Sequence, residues 1–496
     1  MIDFRLLLPV LTGLALAAPG PAVAASPAPA EAAQAVRAPA ITRHSGTFGG
    51  EKIRYTATVS ELPIVTGAGE GARIVSFAYT RDGVKAAARP VLFLFNGGPI
   101  SPSPYLHIGG LGPRRIWFPD DVKADPSEFR LIDNPHSPLN AVDLVFIDPA
   151  STGFSRVEAG TEPSAYFSVD ADARQFATFI RQWLKANGRT ASPVYVLGES
   201  YGTIRAPEIA RQLAEGPDPL PLAGVFLYGQ AANIIEYSQR PANVASYVAS
   251  LPTLAATAWY HGRIDRKGRT LEQIVAEASA FAKGDYLTAL YQGSALPVAE
   301  QKRIAAELQA LTGLSADWYL ANALRISKEQ YRLELLKDQG LLLGRTDARY
   351  TAPVTDKGGA PDPADVLVKA IQQTFPRYVR DELKLGWGDE YRMNSPVTGG
   401  LEGWVWGAGK SPFADWPYYT GISAMMKLNP SFKLMVASGY YDTMTTVGAA
   451  ELLTAQSGWP ADKVTLKAYD GGHMGYSVDA TAKAMGDDIR AWVRGK

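Results

Sequence analysis

The chain has 496 residues, of which 46% are apolar and 20% charged, a composition typical of a globular protein and unlike that of a disordered one. This length predicts one large domain with a substantial insertion, or two domains. Lysine plus arginine and aspartate plus glutamate number 49 each, so the formal net charge of zero gives no electrostatic reason to expect nucleic acid or an anionic membrane as a partner.

The N-terminus has the pattern of an export signal. Arg5 precedes an apolar run from Leu6 to Ala18, and the small-residue site Ala22-Val23-Ala24 follows. This order predicts a secretory signal peptide over residues 1–24, with the mature protein periplasmic or secreted. A membrane anchor is the alternative, but the run is short for a span, so we expect no stable membrane insertion. Residues 25–40 are rich in Ala and Pro and are predicted to be a linker.

After the linker, the chain first predicts antiparallel strands and then a parallel sheet. Residues 41–79 contain stretches of period-two alternation, which indicate strands with one buried face. Short continuous apolar runs follow, and they are typical of strands buried on both faces beneath helices. These runs are Val91–Phe95, Leu144–Ile147, Val194–Leu197, Val225–Tyr228, Leu434–Ala437 and Val464–Ala468.

Amphipathic stretches at 171–187 and 208–215 lie between these runs and favour an α/β fold. Residues 235–407 differ, because helical patterns at 271–290, 298–311 and 327–336 follow without a buried strand. We predict a mainly helical insertion over 235–407, between core segments 41–234 and 408–496. Its aromatic residues either line a substrate pocket or fill the core of the insertion: Trp259, Tyr260, Trp318, Tyr319, Trp404 and Trp406.

The strand at 194–197 leads into Gly198-Glu199-Ser200-Tyr201-Gly202, which fits the G-x-S-x-G nucleophile elbow. In that motif a tight strand-to-helix turn exposes a strained serine, and glycines are needed where side chains would collide with the backbone. The strand before the motif and the apolar-faced stretch after it give the expected context. Ser200 is therefore the predicted nucleophile of an α/β-hydrolase fold.

A serine nucleophile needs a base and a carboxylate that orients the base. In α/β-hydrolases these follow the serine in the order acid, then histidine. His473 stands in a glycine-rich loop after the last predicted strand, whereas His261 falls in the insertion. Asp442 follows the strand at 434–437 and is the predicted acid, with Asp470 as its competitor.

The strand at 91–95 ends in Asn96-Gly97-Gly98-Pro99. A glycine pair at this place can direct backbone N–H groups toward a developing oxyanion, together with the N–H of Tyr201. An ordinary turn is the alternative. The chain has no cysteine and no histidine pair with metal-ligand spacing, so we expect no metal and no organic cofactor.

Together these segments resemble the serine carboxypeptidase family. The matching segments occur in family order over about 41–492, and departures fall at Ile100 and Ser151. The matched motifs are Asn96–Pro99, Gly112-Pro113, Leu144–Ser155, the identical Gly198–Gly202, Gly439–Asp442 and Gly472–Met474.

The resemblance implies removal of C-terminal residues from peptides with a free C-terminus, through an acyl-enzyme on Ser200. It implies Gly98 and Tyr201 as the oxyanion N–H donors. It also implies that three residues bind the substrate carboxylate, with Glu199 donating a hydrogen bond when protonated. These three residues are Asn96, Gly97 and Glu199.

One departure affects this carboxylate site. The family pairs the glutamate with a second one, and Gly110 stands at that place here. Arg114 and Arg115 follow closely, so either one binds the carboxylate directly or both are solvated surface charges. Loss of the second glutamate keeps an esterase or acyltransferase open as an alternative. A non-catalytic binding protein on the same scaffold is the more distant alternative.

Overall fold

The computed structural model describes residues 36–67, 69–215, 218–355, 361–388, 390–395, 403–407 and 418–495. The predicted signal peptide and most of the predicted linker lie outside these residues. Val36 to Pro39 are irregular, and Arg37 forms an ion pair with Glu61 at 2.6 Å. The linker therefore ends against the folded body, where the first strand begins at Ala40.

Among the described residues, strands dominate before Val169, strands and helices alternate from Val169 to Tyr228 and again from Thr420 to Val493, and helices dominate between. The strands are β1 (Ala40–Phe48), β2 (Glu51–Thr66), β3 (Glu70–Arg81), β4 (Val91–Phe95), β5 (Arg114–Trp117), β6 (Arg130–Asp133), β7 (Asp143–Ile147), β8 (Arg156–Val157), β9 (Val194–Glu199), β10 (Gly224–Tyr228), β11 (Leu341–Leu343), β12 (Thr351–Pro353), β13 (Lys433–Gly439) and β14 (Val464–Tyr469). The helices are α1 (Pro104–Leu106), α2 (Val169–Ala186), α3 (Gly202–Glu215), α4 (Ile234–Tyr237), α5 (Val244–Tyr260), α6 (Leu271–Phe281), α7 (Leu287–Gln292), α8 (Val298–Thr312), α9 (Ala316–Ala321), α10 (Lys328–Glu334), α11 (Asp365–Asp381), α12 (Thr420–Leu428), α13 (Val447–Gln456) and α14 (Asp479–Val493).

One sheet organises the described residues, in the order β1-β2-β3-β7-β4-β9-β10-β13-β14, with β8 beside β3. The first strands pair antiparallel, and every neighbouring pair from β7 to β14 is parallel. Because parallel strands end at the same edge, the loops after β4, β9, β13 and β14 meet there. The predicted α/β-hydrolase fold is confirmed.

The two faces of the sheet are buried in separate apolar clusters. Alternate residues of β4 face opposite sides, so Leu92 and Leu94 join one cluster whereas Val91 and Phe93 join the other. Helices α2 and α3 cover the second face. Strand β14, predicted as doubly buried, is instead a partly exposed edge strand, and Leu466 is 41% exposed because no strand lies beyond it.

The residues between β10 and β13 are mainly helical, and they form two layers. Helices α5 to α10 enclose an apolar cluster of their own. Helix α11 packs instead on the sheet, where Phe375 meets Phe77 with ring centroids 5.4 Å apart. No described helix is both long and apolar enough to cross a membrane.

Candidate active site

Ser200 occupies the sharp turn between β9 and α3. Its φ of +58° lies in the left-handed region, which a serine adopts only at a cost of about 1–3 kcal/mol. A Cβ at Gly198 would overlap the carbonyl oxygen of Gly202, so the turn closes only with glycine. The sequence thus forces a half-buried serine with left-handed backbone at the end of a central strand.

Asp442 and His473 follow β13 and β14 and meet beside this turn. His473 Nδ1 lies 2.6 Å from Asp442 Oδ2. Asp442 is fully buried and accepts hydrogen bonds from the N–H groups of Met444 and Thr445 at 2.8 and 3.0 Å. Its competitor Asp470 accepts instead from the adjacent N–H of Gly471.

The environment of His473 suits a general base. Burial lowers the pKa of His473, but the charge of Asp442, its hydrogen bond to Nδ1 and the charge of Glu199 together raise it to about 9. The pKa therefore lies above its ordinary value, and a positive charge that develops on the imidazole is stabilised. The side chain keeps 11% of its surface exposed, which leaves the imidazole within reach of a substrate.

The Asn96–Pro99 loop lies directly against the serine turn. A Cβ at Gly97 would overlap the backbone nitrogen of Tyr201 and stand 2.9 Å from Ser200 Cβ. Gly98 has a φ of +106°, which favours glycine. Within the described residues, the N–H groups of Gly98 and Tyr201 donate to no backbone carbonyl. Two free donors beside a serine can stabilise an oxyanion.

Arg205 holds this loop in place, and no motif in the sequence pointed to it. The fully buried guanidinium pairs with Asp172 at 2.6 Å. It also donates to the carbonyl oxygens of Asn96 and Pro99 at 2.6 and 2.7 Å. A buried ion pair whose other two guanidinium nitrogens each donate to a loop carbonyl fixes the loop against α2 and α3.

Glu199 is buried next to the serine, with only 3% of its surface exposed. The side-chain N–H of Asn96 donates to one carboxylate oxygen at 2.6 Å, and the hydroxyl of Tyr476 lies 3.0 Å from both oxygens. Burial raises the pKa of Glu199 to about 7, although the charge of His473 and these hydrogen bonds lower it. Near neutral pH both protonation states of Glu199 are therefore accessible.

Tyr476 is the second residue that sequence reasoning missed. It stands three residues after His473, on the far side of a turn, and no spacing rule connects it to Glu199. The signal was indirect: Gly110 left the glutamate without its expected partner. A Cβ at Gly110 would lie 2.8 Å from Cγ of Tyr476, so the tyrosine ring occupies the space beside this glycine.

The structure does not bring Arg114 and Arg115 to this cluster. Arg114 forms ion pairs with Asp133 at 2.5 Å and Glu382 at 3.1 Å. Arg115 is buried and pairs with Asp479 at the start of α14. These pairs engage both guanidinium groups away from Glu199, so the predicted carboxylate-binding role of either arginine has no support in their placement.

A segment of the insertion, residues 344–350, contacts the loops of both Asp442 and His473. We name it the insertion loop. The carbonyl of Thr346 accepts from the backbone N–H of His473 at 2.6 Å, and Ala348 donates its own N–H to the carbonyl of Tyr441 at 2.9 Å. Asp347 accepts from the N–H of Gly472 at 3.0 Å. Asp442 and His473 are therefore positioned partly by the insertion loop.

The aromatic residues of the insertion divide into two groups. Trp404 and Trp406 surround the ring of Tyr201, with ring centroids 5.3 and 5.8 Å from it. The others pack in the cluster that α5 to α10 enclose, so they fill the insertion's core as the alternative predicted. These are Trp259, Tyr260, Trp318 and Tyr319.

No group of three metal-ligating side chains occurs in the part of the chain that the structure describes. The residues around Ser200 offer one imidazole, two buried carboxyl groups and free backbone N–H donors. This set suits acyl transfer through a serine.

The strand order, the serine turn after a central strand, and Asp442 and His473 after later strands define the α/β-hydrolase class, and they support a serine hydrolase. Residues 75–299 match the model of the family described as serine carboxypeptidase, which confirms the likeness that the motifs predicted. The serine-type carboxypeptidase F of Aspergillus niger is 29% identical over 158 residues. That match covers 31% of this chain and only 27% of the relative's length.

Solved structures with a similar fold are far more distant in sequence. A proline iminopeptidase of Mycobacterium smegmatis is 12% identical with a TM-score of 0.37, over 88% of this chain and 98% of that one. A carboxyl esterase of Bacillus coagulans is also 12% identical, with a TM-score of 0.35 and the same coverage of both chains.

Proposed function

We propose that the protein is a serine carboxypeptidase that hydrolyses C-terminal peptide bonds. The observation that carries the proposal is the buried carboxyl of Glu199, held by Asn96 immediately before Ser200. A buried carboxyl that protonates near neutral pH can donate a hydrogen bond to the free carboxylate of a peptide. That contact would place the last peptide bond of the substrate over the serine.

In the proposed reaction His473 Nε2 removes the proton from Ser200 Oγ, which attacks the carbonyl carbon of the last peptide bond. The N–H groups of Gly98 and Tyr201 stabilise the oxyanion. The imidazolium, oriented by Asp442, gives its proton to the leaving amine, and the terminal amino acid departs. His473 then deprotonates a water that attacks the acyl-enzyme, and Ser200 is restored.

A specific observation favours one second candidate, an esterase or acyltransferase on the same scaffold. Gly110 removes the second carboxyl group, and Tyr476 stands beside Glu199 instead. If this change abolishes carboxylate binding, the same serine, acid and base serve neutral esters. A peptidase with altered carboxylate recognition remains the better account because Asn96 and Glu199 are both retained.

The test uses a matched pair of N-blocked dipeptides, one with a free C-terminal carboxylate and one with the amide in its place. We expect release of the terminal amino acid only from the free acid, and none with Ser200→Ala. Equal or faster turnover of the blocked substrate would reject the carboxypeptidase in favour of ester, amide or acyl-transfer chemistry.

We also propose export of the protein, on the basis of the apolar run before Ala22-Val23-Ala24. N-terminal sequencing of the protein from the producing cells should begin at Ala25. An N-terminus at Met1 in membrane fractions would favour an anchor instead.

A further inference from the structure

The hydroxyl of Tyr476 is committed to Glu199. Tyr476 is fully buried in the turn Gly475–Ser477, and its hydroxyl lies 3.0 Å from Oε1 and Oε2 of Glu199. Those two oxygens are its hydrogen-bond partners within the described residues. A phenol has one hydrogen to donate, and an ionised carboxylate can only accept. The hydrogen bond therefore stabilises the ionised form of Glu199.

The ring of Tyr476 excludes a side chain at residue 110. A Cβ at Gly110 would stand 2.8 Å from Cγ and 2.9 Å from Cδ2 of the ring, and one at Gly109 would stand 3.2 Å from Cε2. The ring is fully buried in the close-packed core, so it cannot shift to make room for a Cβ at residue 110. Residue 110 therefore cannot carry a carboxyl side chain while the ring of Tyr476 is in this position. The tyrosine occupies the space that a second carboxyl group would need.

We propose that Tyr476, donating to Glu199 where a second carboxyl group is missing, is the positioning residue that sets the upper pH limit for substrates with a free carboxylate. The proposal rests on the carboxypeptidase function proposed above. It names a determinant of substrate choice that lies outside the serine, acid and base.

A phenol and a second carboxyl group differ in charge as partners of Glu199. Two neighbouring carboxyl groups repel each other when both ionise, so one retains its proton to higher pH. A phenol stays neutral, because burial and the charge of Glu199 raise the pKa of Tyr476 well above its ordinary value. Its hydrogen bond consequently lowers the pKa of Glu199, so burial, helped by the charge of Asp442, keeps the proton on Glu199 near neutrality.

Other polar and titratable groups also act on Glu199, and they lie on the several elements packed against it. His473 and Asp442 act on its charge from the loops after β14 and β13, and Asn96 donates from the loop after β4. The phenols of Tyr105 and Tyr228 also face it. Of these, His473 also titrates, with a pKa that burial lowers but the charge of Asp442 raises to about 9, so a substrate without a carboxylate is needed to separate its titration from that of Glu199.

The experiment compares wild type with Tyr476→Phe, using the free acid and the methyl ester of one N-blocked dipeptide. Below the pKa of Glu199 the neutral carboxyl binds the substrate carboxylate, and above it the charged one repels. Loss of the phenol should move the alkaline fall of kcat/KM for the free acid upward by about 1 pH unit. The pH dependence for the ester, set by His473, should move much less, because Glu199 acts on His473 only through its charge.

Tyr378→Phe is the matched control, because it removes the hydroxyl group of another buried tyrosine. That hydroxyl forms a 2.8 Å hydrogen bond with the hydroxyl of Tyr79 and has no contact with Glu199 among those of the described residues. It should move neither profile. A shift with Tyr378→Phe equal to that with Tyr476→Phe, or no shift with Tyr476→Phe, would overturn the proposal.

A direct titration of Glu199 separates this inference from the proposed function. Difference infrared spectra against Glu199→Gln follow the C=O stretch of the protonated carboxyl with pH. Its midpoint should rise by about 1 unit in Tyr476→Phe. An unmoved midpoint overturns the role of Tyr476. A raised midpoint with no free-acid hydrolysis at any pH instead rejects the carboxypeptidase and leaves the coupling of Tyr476 to Glu199 established.

Discussion

The serine turn is held by the core of the fold, whereas Asp442 and His473 are held partly by the insertion. Ser200 and the Asn96–Pro99 loop depend on packing between β4, β9 and α3, and on the buried pair of Arg205 with Asp172. Asp442 and His473 lie on loops that the insertion loop contacts through backbone hydrogen bonds. We name these the nucleophile half and the acid–base half.

The difference between the halves concerns what can move. The nucleophile half is fixed by close-packed backbone, since any side chain at Gly97 or Gly198 would overlap its neighbours. The acid–base half instead depends on hydrogen bonds to a segment outside the hydrolase core, such as that from the N–H of Gly472 to Asp347 in the insertion loop. We infer that the oxyanion donors are preorganised, and that any displacement of the insertion acts first on His473.

The largest effect is expected from a substitution at the centre of the acid–base half. Asp442→Asn removes the charge that stabilises the imidazolium and orients Nδ1–H, so kcat should fall by about 10⁴-fold. Steady-state hydrolysis of an activated ester measures it. Asp470→Asn is the control and should retain most activity; equal losses in both variants would mean that the acid is wrongly assigned.

The next largest effect is expected from a substitution that destabilises the nucleophile half. Arg205→Met leaves Asp172 buried without its ion-pair partner and frees the carbonyls of Asn96 and Pro99. We expect a loss of about 3–5 kcal/mol in the free energy of unfolding, measured by denaturant titration. Arg211→Met, on the exposed side of the same helix, should cost at most about 1 kcal/mol. A small loss for Arg205→Met would show that packing alone holds the loop.

A smaller effect is expected from a substitution in the insertion loop, and it tests the role of that loop. Asp347→Asn weakens the pair with Arg349 and the acceptor for the N–H of Gly472. Displacement of His473 should lower kcat about 10-fold, equivalent to about 1.4 kcal/mol, with KM little changed. Asp338→Asn, in an exposed pair with Arg263, is the control within the insertion. Equal kcat for Asp347→Asn and wild type would make the insertion loop merely structural.

The smallest effect measures the strain in the nucleophile half. Ser200→Gly abolishes activity, but it also relieves the left-handed backbone at this position. The free energy of unfolding should rise by about 1 kcal/mol, since glycine adopts a positive φ without steric cost. Thermal unfolding compared with Ser200→Ala isolates the backbone term. A less stable Ser200→Gly would mean that the serine turn is unstrained.

Much of the core could be predicted because local patterns match local structure. Continuous apolar runs mark strands buried on both faces, and the observed β4 spans the predicted 91–95. Helix α5 escaped prediction because it is buried all round and therefore lacks amphipathic periodicity. Helix α11 contains Pro376, which obscures its pattern. The run at 464–468 predicts a strand but carries no sign that it lies at an edge.

The site was predictable to the extent that its residues sit at the ends of strands. The sequence indicated Ser200, Asp442 and His473 through flanking runs and glycines, and the structure brings Asp442 and His473 into contact. Arg205, Tyr476 and the insertion loop act through contacts between distant segments. Such contacts depend on packing in three dimensions, for which a single sequence has no periodic signature.

The central claim is that Ser200 carries an acyl-enzyme formed by loss of a C-terminal residue. The direct measurement is mass spectrometry of the protein quenched in acid during turnover of a free-acid peptide, followed by peptide mapping. The account predicts an adduct on Ser200 equal in mass to the substrate's acyl part without its terminal amino acid, and no adduct in Ser200→Ala. Release of the terminal amino acid by wild type and Ser200→Ala at the same rate, or an adduct on another residue, would contradict it.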